Sequence, residues 1–571
     1  MAQHPWLSRY DEGVPSTLAP YPDRTLIDIV RETARARPRH PVSIFHGATL
    51  SYAELDRQSD AFSAALRAMG VARGDRVALL LPNCPQFLIA ELGAWKAGAI
   101  VCPLNPLYNE HELTDALATT GAETVVVLSL FYDRLKEVQP RTALKRVIVT
   151  SVKDALPLLT RVLFTLFKEK KEGHRVRLAP GDRRLTGLLA AYARAPRPEI
   201  AIAPDDPATI LMSGGTTGTP KGVVGLHRSY VMTALQLQAW LRAALVPGED
   251  VYMLPIPLSH SFGHIGVQGL ALVSGSTLAL VPNARDIGDL LRSIRETRPT
   301  FFCGVPTLFN AIINRRDVRE GKVDLRSIRS CFSGAAPLMT ETRRRFEELT
   351  GGRIVEGYSL TEAQIAVVAN PLRGGSREGS VGLPVPDVEV EIVDADTAAG
   401  PLSPGAVGEI VLHAPQLMAS YWQNPTETEL VLRRRADGRR WLFTGDLGYL
   451  DADGYLFIVD RKKDLIKTSG YQVWPREVEE AVASHPAVAE VGVTGVPDKL
   501  KGEAVKAWVV VRDGAQVTAA ELRSYCRERI APYKVPTEVE FVTELPKTLA
   551  GKVLRRALRE QQRARDSVGS V

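Results

Sequence analysis

Ser51-Tyr52-Ala53-Glu54-Leu55, then Phe62, Leu66 and Met69 before Gly70, then Val77-Ala78-Leu79-Leu80-Leu81 decide the fold class. Ser51 and Glu54 have the S-x-x-E spacing of a capping box, in which each side chain satisfies the other's backbone N–H at a helix start. Leu55, Phe62, Leu66 and Met69 recur at steps of 7, 4 and 3 and draw one apolar helix face, which Gly70 ends. Val77 to Leu81 is short and wholly apolar, as a strand buried on both faces requires. The alternation repeats, with a helix over 85–97, a strand over 100–103, a helix over 110–118 and a strand over 124–128. Strand–helix–strand units at this spacing build a parallel sheet covered by helices. The class is α/β.

The chain has 571 residues, enough for several packed units without disulfides or metals to hold them. Hydrophobic residues make up 45% and charged residues 24%, a globular balance rather than a disordered one. The formal net charge of +6 is small for this length and gives no footprint for nucleic acid. Cys84, Cys102, Cys303, Cys331 and Cys526 are odd in number and form no C-x-x-C pair, so neither a disulfide framework nor a zinc site is expected, and a reducing cytosol fits. The first residues show no basic head followed by an apolar core, and no run of about 18 apolar residues occurs. Neither a secretory signal nor a membrane span is expected.

Residues 156–171 are apolar up to Phe164, Leu166 and Phe167, then basic at Lys168, Lys170 and Lys171. A helix packed on the domain with a solvated basic end is the expectation there, with a membrane-surface helix as the alternative. Residues 374–408 are rich in Gly and Pro with short alternating stretches such as 388–393, which reads as a small β-rich subdomain. The domain boundary is expected after Asp460, where Arg461-Lys462-Lys463-Asp464 opens a segment with its own α+β pattern.

The richest chemical signal is Ser213-Gly214-Gly215-Thr216-Thr217-Gly218-Thr219-Pro220-Lys221-Gly222, directly after the apolar strand 208–212. Glycines let the backbone turn its N–H groups toward an anion, and hydroxyls and a lysine add donors, which is phosphate-cradling chemistry. A flexible surface loop is the alternative on composition alone. The G-x-x-x-x-G-K-[ST] spacing of a Walker A loop is missing.

This loop resembles the phosphate loop of the AMP-forming acyl-CoA synthetases of the adenylate-forming superfamily. Further blocks match in the family's order. Ser333-Gly334-Ala335-Ala336-Pro337-Leu338 and Gly357-Tyr358-Ser359-Leu360-Thr361-Glu362 resemble its adenine and magnesium segments. Thr444-Gly445-Asp446 resembles its ribose segment, residues 460–470 its hinge, and Pro546-Lys547-Thr548-Leu549-Ala550-Gly551-Lys552 its terminal lysine loop. The doubled Gly214-Gly215 is similar to the bacterial long-chain fatty-acid–CoA ligases of the family. Ser359 stands where the family commonly has glycine, and Trp474 where it more often has Tyr or Phe.

The resemblance implies a large N-terminal domain of layered α/β sheets with a small β subdomain, residues 1–460, and a mobile α+β C-terminal domain, residues 461–571. It implies ATP binding by Ser213, Gly214, Gly215, Thr216, Thr217, Gly218, Lys221, Gly334, Ala335, Ala336, Gly357, Tyr358, Ser359, Thr361, Asp446, Arg461 and Lys552. Tyr358 offers a flat face to adenine, and Asp446 with Arg461 would hold the ribose. Thr216 and Glu362 would hold Mg²⁺, a hard ion that takes one or two carboxylates plus phosphate oxygens. Lys552, Thr361, Glu362 and His260 are the catalytic candidates, His260 as a gate or carboxylate contact rather than a base. Lys463 aligns with the hinge, and Lys467 and Gly470 with the face that admits the CoA thiol.

The function implied is ATP-dependent activation of a medium- or long-chain fatty acid to acyl-CoA through an acyl-adenylate, with AMP and pyrophosphate released. A short-chain, dicarboxylate or aryl-acid CoA ligase, or a fatty acyl-AMP ligase, is the alternative. The acyl pocket is expected around residues 230–240, 265–272 and 304–311, where Gly266, Gly269 and Gly304 read equally as channel or packing glycines. The expected partners are the small molecules fatty acid, ATP and CoA, with no nucleic acid. A cytoplasmic enzyme is expected, with peripheral membrane contact and a homodimer left open.

Overall fold

The computed structural model describes residues 4–213, 220–336, 338–365, 367–468, 471–498, 502–547 and 553–568. The Ser51–Glu54 capping box forms, and the helix it starts, Tyr52–Ala68, buries Leu55, Phe62 and Leu66. Gly70 follows at φ +81°, a conformation that side chains disfavour. The apolar run after it is strand Arg76–Leu80, parallel to Ile100–Pro103 on one side and Thr124–Leu128 on the other. Helix Pro85–Lys96 between them is buried along its whole length.

Among the described residues, that sheet has eight strands, with Ser420–Tyr421 at one edge and Arg183–Arg184 at the other. Next to the first edge lies the antiparallel hairpin Pro207–Ser213 and Lys221–Leu226. Among the described residues a second sheet has nine strands and carries the parallel run Val251–Leu254, Phe301–Gly304, Ser330–Ser333 and Arg353–Tyr358. Phosphate-loop and adenine segments therefore leave the ends of strands in two different sheets, where open α/β layers bind ligands.

The β-rich stretch is larger than the composition of 374–408 suggests. Strand Glu389–Val393 pairs with Gly408–His413, which pairs with Arg440–Leu450, and Leu456–Arg461 closes the set. The main apolar core extends through Leu456, and a separate one begins at Ile466, built from Val478, Val488, Val509 and their neighbours. The smaller C-terminal domain has a sheet of its own, centred on Gly502–Val511.

Helix Leu158–Phe167 departs from the expectation of a packed helix. Phe164 alone of its residues is buried. All five cysteines are buried free thiols. Among the described residues, no helix is long and apolar enough to cross a membrane.

Candidate active site

The hairpin carries both ends of the candidate phosphate loop. Ser213 and Lys221 are register partners, with Ser213 Oγ donating to the Lys221 carbonyl at 3.3 Å. The strands close tightly behind them, because a Cβ on Gly222 would meet Ile210 at 2.6 Å. Gly214, Gly215, Thr216, Thr217 and Gly218 lie outside the described residues. Lys221 Nζ donates to Glu427 at 2.5 Å and sits 5.0 Å above the Tyr421 ring. The Tyr421 hydroxyl donates to Glu362 Oε1 at 2.9 Å. One tyrosine thus spaces the phosphate-loop lysine from the candidate magnesium carboxylate, and burial beside Glu362 raises its pKa and keeps it a donor. The Glu362 carboxylate suits Mg²⁺ that arrives on ATP phosphates, an ion that takes one or two carboxylates. Among the described residues no cluster of three metal-ligating side chains occurs.

The segment around Glu362 is bent. Gln364 and Ile365 have φ of +52° and +64°, strained values for non-glycine residues. Gln364 is held there by its side-chain N–H to the Thr361 carbonyl at 2.9 Å and by Thr233 Oγ1 donating to its own carbonyl at 2.8 Å. Thr361 Oγ1 lies 3.2 Å from Ser261 Oγ, the residue after His260. The Phe262 N–H donates to His260 Nδ1 at 3.2 Å, so the ring proton of neutral His260 sits on Nε2. Burial lowers the pKa of His260 and favours that neutral form.

On the nucleotide side, strand Ser330–Ser333 runs into Gly334, Ala335 and Ala336, with Ala335 at φ +71°. Strand Arg353–Tyr358 ends beside it, and Gly357 is required there, since a Cβ would meet the Phe332 ring at 2.5 Å. The Tyr358 hydroxyl donates to Asp446 Oδ2 at 2.7 Å, and Arg461 Nε lies 2.9 Å from Asp446 Oδ1. Asp446 and Arg461 are register partners on antiparallel strands, which fixes their distance by backbone pairing. Burial and the Asp446 carboxylate push the Tyr358 phenol up, so it stays protonated. Ser359 is exposed at the rim.

Beyond Arg461, Lys463 lies exposed in the one-turn helix Lys462–Asp464, and Lys467 lies exposed on strand Ile466–Thr468. Arg555 ties this segment together, donating to Asp460 Oδ1 at 2.8 Å and Glu479 Oε2 at 2.7 Å, with Asp464 Oδ2 at 3.4 Å. Lys552 and Gly470 lie outside the described residues. Lys547 and Val553, which bracket residues 548–552, pair as a β-bridge. Of the three glycines left open, Gly304 is a packing glycine, because a Cβ would lie 2.9 Å from the Phe309 ring. At Gly269 the same atom meets nothing nearer than 3.8 Å, which leaves room.

The AMP-binding enzyme family model matches residues 30–422, and the AMP-binding enzyme C-terminal domain model matches residues 477–552. The chain belongs to the AMP-binding enzyme family. A long-chain-fatty-acid–CoA ligase of Bacillus subtilis (strain 168) is 37% identical to this AMP-binding enzyme over 98% of each chain. One of Escherichia coli O157:H7 is 36% identical over 98% of each. Among solved structures, the anthranilate CoA ligase AuaEII in complex with anthranoyl-AMP superposes with a TM-score of 0.81 at 26% identity, covering 95% of this chain and 98% of that one.

Several residues packed around this AMP-binding enzyme's candidate site residues were not read from the sequence. Glu427 had a signal, since Asn424-Pro425 starts a helix and Asn424 Oδ1 accepts from the Glu427 N–H at 3.1 Å. Tyr421 had none beyond being aromatic. A buried cluster behind His260 had no local signal either. His264 Nε2 bonds Glu91 Oε1, Gln268 Nε2 donates to Glu91 Oε2 at 2.5 Å, and the Tyr230 hydroxyl lies 3.4 Å from His264 Nδ1.

Proposed function

We propose that this AMP-binding enzyme joins a medium- or long-chain fatty acid to coenzyme A in two steps at one site. In the first, a carboxylate oxygen bonds to the α-phosphorus of MgATP and the bond to pyrophosphate breaks. In the second, the CoA sulfur bonds to the acyl carbon and AMP leaves with the electron pair of the broken ester bond. The observation that carries the reading is the Tyr358–Asp446–Arg461 cluster beside Lys221, Tyr421 and Glu362, a nucleoside grip next to a phosphate-and-cation grip. Curated relatives that match along nearly the whole chain carry the name long-chain-fatty-acid–CoA ligase.

Asp446 accepts the ribose hydroxyls, with Tyr358 and Arg461 holding its carboxylate in place. Ser213, the 214–218 loop, Lys221 and Thr361 donate to phosphate oxygens, and Glu362 and Thr216 hold Mg²⁺. Gly334, Ala335, Ala336, Gly357 and Ser359 frame the adenine. Neutral His260 donates from Nε2 to the fatty-acid carboxylate, which needs no base because it already carries its negative charge. Lys552 stabilises charge building on the α-phosphate during the first step. The division falls between residues 460 and 461, and rotation about Lys463 then exchanges Lys552 for the Lys467–Gly470 face. The enzyme acts in the cytoplasm, in contact with a membrane surface. Its partners in this reading are the small molecules fatty acid, ATP and coenzyme A.

Thioester formation across saturated acids from C2 to C18, with benzoate, tests the substrate. Each buried methylene contributes roughly 0.8 kcal/mol, so kcat/KM is expected to climb several-fold per carbon until the pocket is full. Acetate matching dodecanoate would overturn the assignment, and ADP in place of AMP would overturn the chemistry.

A further inference from the structure

Helix Leu158–Phe167 keeps its apolar side chains in water. Leu158, Leu159, Leu166 and Phe167 are 77, 74, 69 and 70% exposed, and Val162 and Leu163 are exposed with them. At about 100° per residue these six positions sweep half the helix circumference as one continuous face. A patch of this kind on a soluble surface marks an interaction site.

The helix is fastened on its other side. Phe164 is buried and meets the His174 ring edge-on at 5.3 Å, and His174 Nδ1 lies 3.2 Å from Ser129 Oγ. Lys153 Nζ donates to Glu169 Oε1 at 2.6 Å just past the helix end, and Arg161 donates to the Leu156 carbonyl at 3.1 Å. The apolar face therefore points outward from a docked helix.

Charge selects the partner. Lys168, Lys170, Lys171, Arg175 and Arg177 follow the helix and are exposed. The two acids among them are engaged internally, Glu169 by Lys153 and Glu172 by Lys168 at 3.5 Å. A second copy fits poorly, because the first turn of the helix carries no acid to meet this basic run in an antiparallel pairing. A parallel pairing would oppose like charges. An anionic bilayer offers both an apolar interior and negative headgroups.

We propose that residues 158–171 form a membrane-surface anchor, with the apolar helix face set among acyl chains and Lys168, Lys170 and Lys171 on anionic headgroups. Its purpose, delivery of a membrane-partitioned acid, rests on the proposed fatty-acid substrate. The helix precedes the edge strand Arg183–Arg184 in sequence, and the phosphate-loop hairpin lies toward the opposite edge of the same sheet.

Cosedimentation of the full chain with phosphatidylcholine vesicles, with or without phosphatidylglycerol, tests the anchor. The chain is expected to pellet with the anionic vesicles and to be released by high salt. Lys168→Gln/Lys170→Gln/Lys171→Gln is expected to weaken partitioning about a hundredfold, and Leu159→Gln/Leu166→Gln/Phe167→Gln to abolish it. Both variants should keep the parent melting temperature and the rate on a water-dispersed acid. A chain that stays in the supernatant with both vesicle types overturns the anchor. So does equal pelleting of parent and variants, or self-association removed by the Gln variants without vesicle binding. Vesicle binding by a chain that forms no fatty acyl thioester supports the anchor and overturns the substrate reading instead.

Discussion

Two buried histidines differ in what meets their rings. His264 is fully buried and meets the Glu91 carboxylate, itself 1% exposed, with Gln268 on the second oxygen. Removing one partner of such a pair strands the other and costs roughly 3–5 kcal/mol, whereas replacing both with apolar groups of similar volume costs little. Glu91→Leu is therefore expected to lower the melting temperature by many degrees, and Glu91→Leu/His264→Leu to recover most of the loss. Additive loss in that cycle would show that the two side chains act independently. His227 is 2% exposed at the start of helix His227–Trp240, and burial pulls its pKa down to about 4 against the opposing pull of the Asp206 and Asp28 carboxylates. Its neutral form is favoured in the fold, so the associated stability is complete above pH 6.5, the ordinary histidine value, and drains away as pH falls toward 4. The difference amounts to about 3 kcal/mol. Thermal unfolding between these pH values should therefore fall less steeply for His227→Gln than for the parent, and parallel slopes would contradict this account.

At the scale of elements, the proposed hinge is the segment that would both hold and turn. Asp460 precedes Lys463 and Arg555 lies far beyond it, so their 2.8 Å pair spans the proposed hinge. Lys463→Pro restricts φ at the position proposed to rotate. Adenylate formation, followed as pyrophosphate release, is expected to persist, and CoA consumption from supplied acyl-AMP to fall at least tenfold, with thermal unfolding unchanged. Equal loss of both would remove Lys463 as the pivot. Elements were legible where their causes are local. The Ser51–Glu54 box and the strands Ile100–Pro103 and Thr124–Leu128 rest on spacing within a few residues. Contacts across the chain were not. Lys221 and Glu427 are 206 positions apart and Glu91 and His264 173 apart, and each residue alone reads as an ordinary solvated or core side chain. Helix Leu158–Phe167 shows the reverse limit, since its apolar pattern foretold a packed face that the body of the protein does not cover.

Across the whole molecule, the candidate nucleotide and phosphate residues come from two sheets, and the strand carrying Arg461 leads straight from the proposed ribose position into the proposed hinge. One continuous piece of backbone thus connects the proposed nucleotide grip to the element proposed to rotate. Coupling of this kind lets a single site run two reactions, provided the C-terminal domain brings a different face to each. The most direct test measures the two half-reactions separately in Lys552→Ala, by pre-steady-state pyrophosphate release and by CoA consumption from synthetic acyl-AMP, with thermal unfolding as the control. The account expects pyrophosphate release to slow by roughly 10² to 10³, as for loss of one transition-state donor, while thioester formation from acyl-AMP is nearly spared. Equal slowing of both half-reactions at unchanged stability would contradict it.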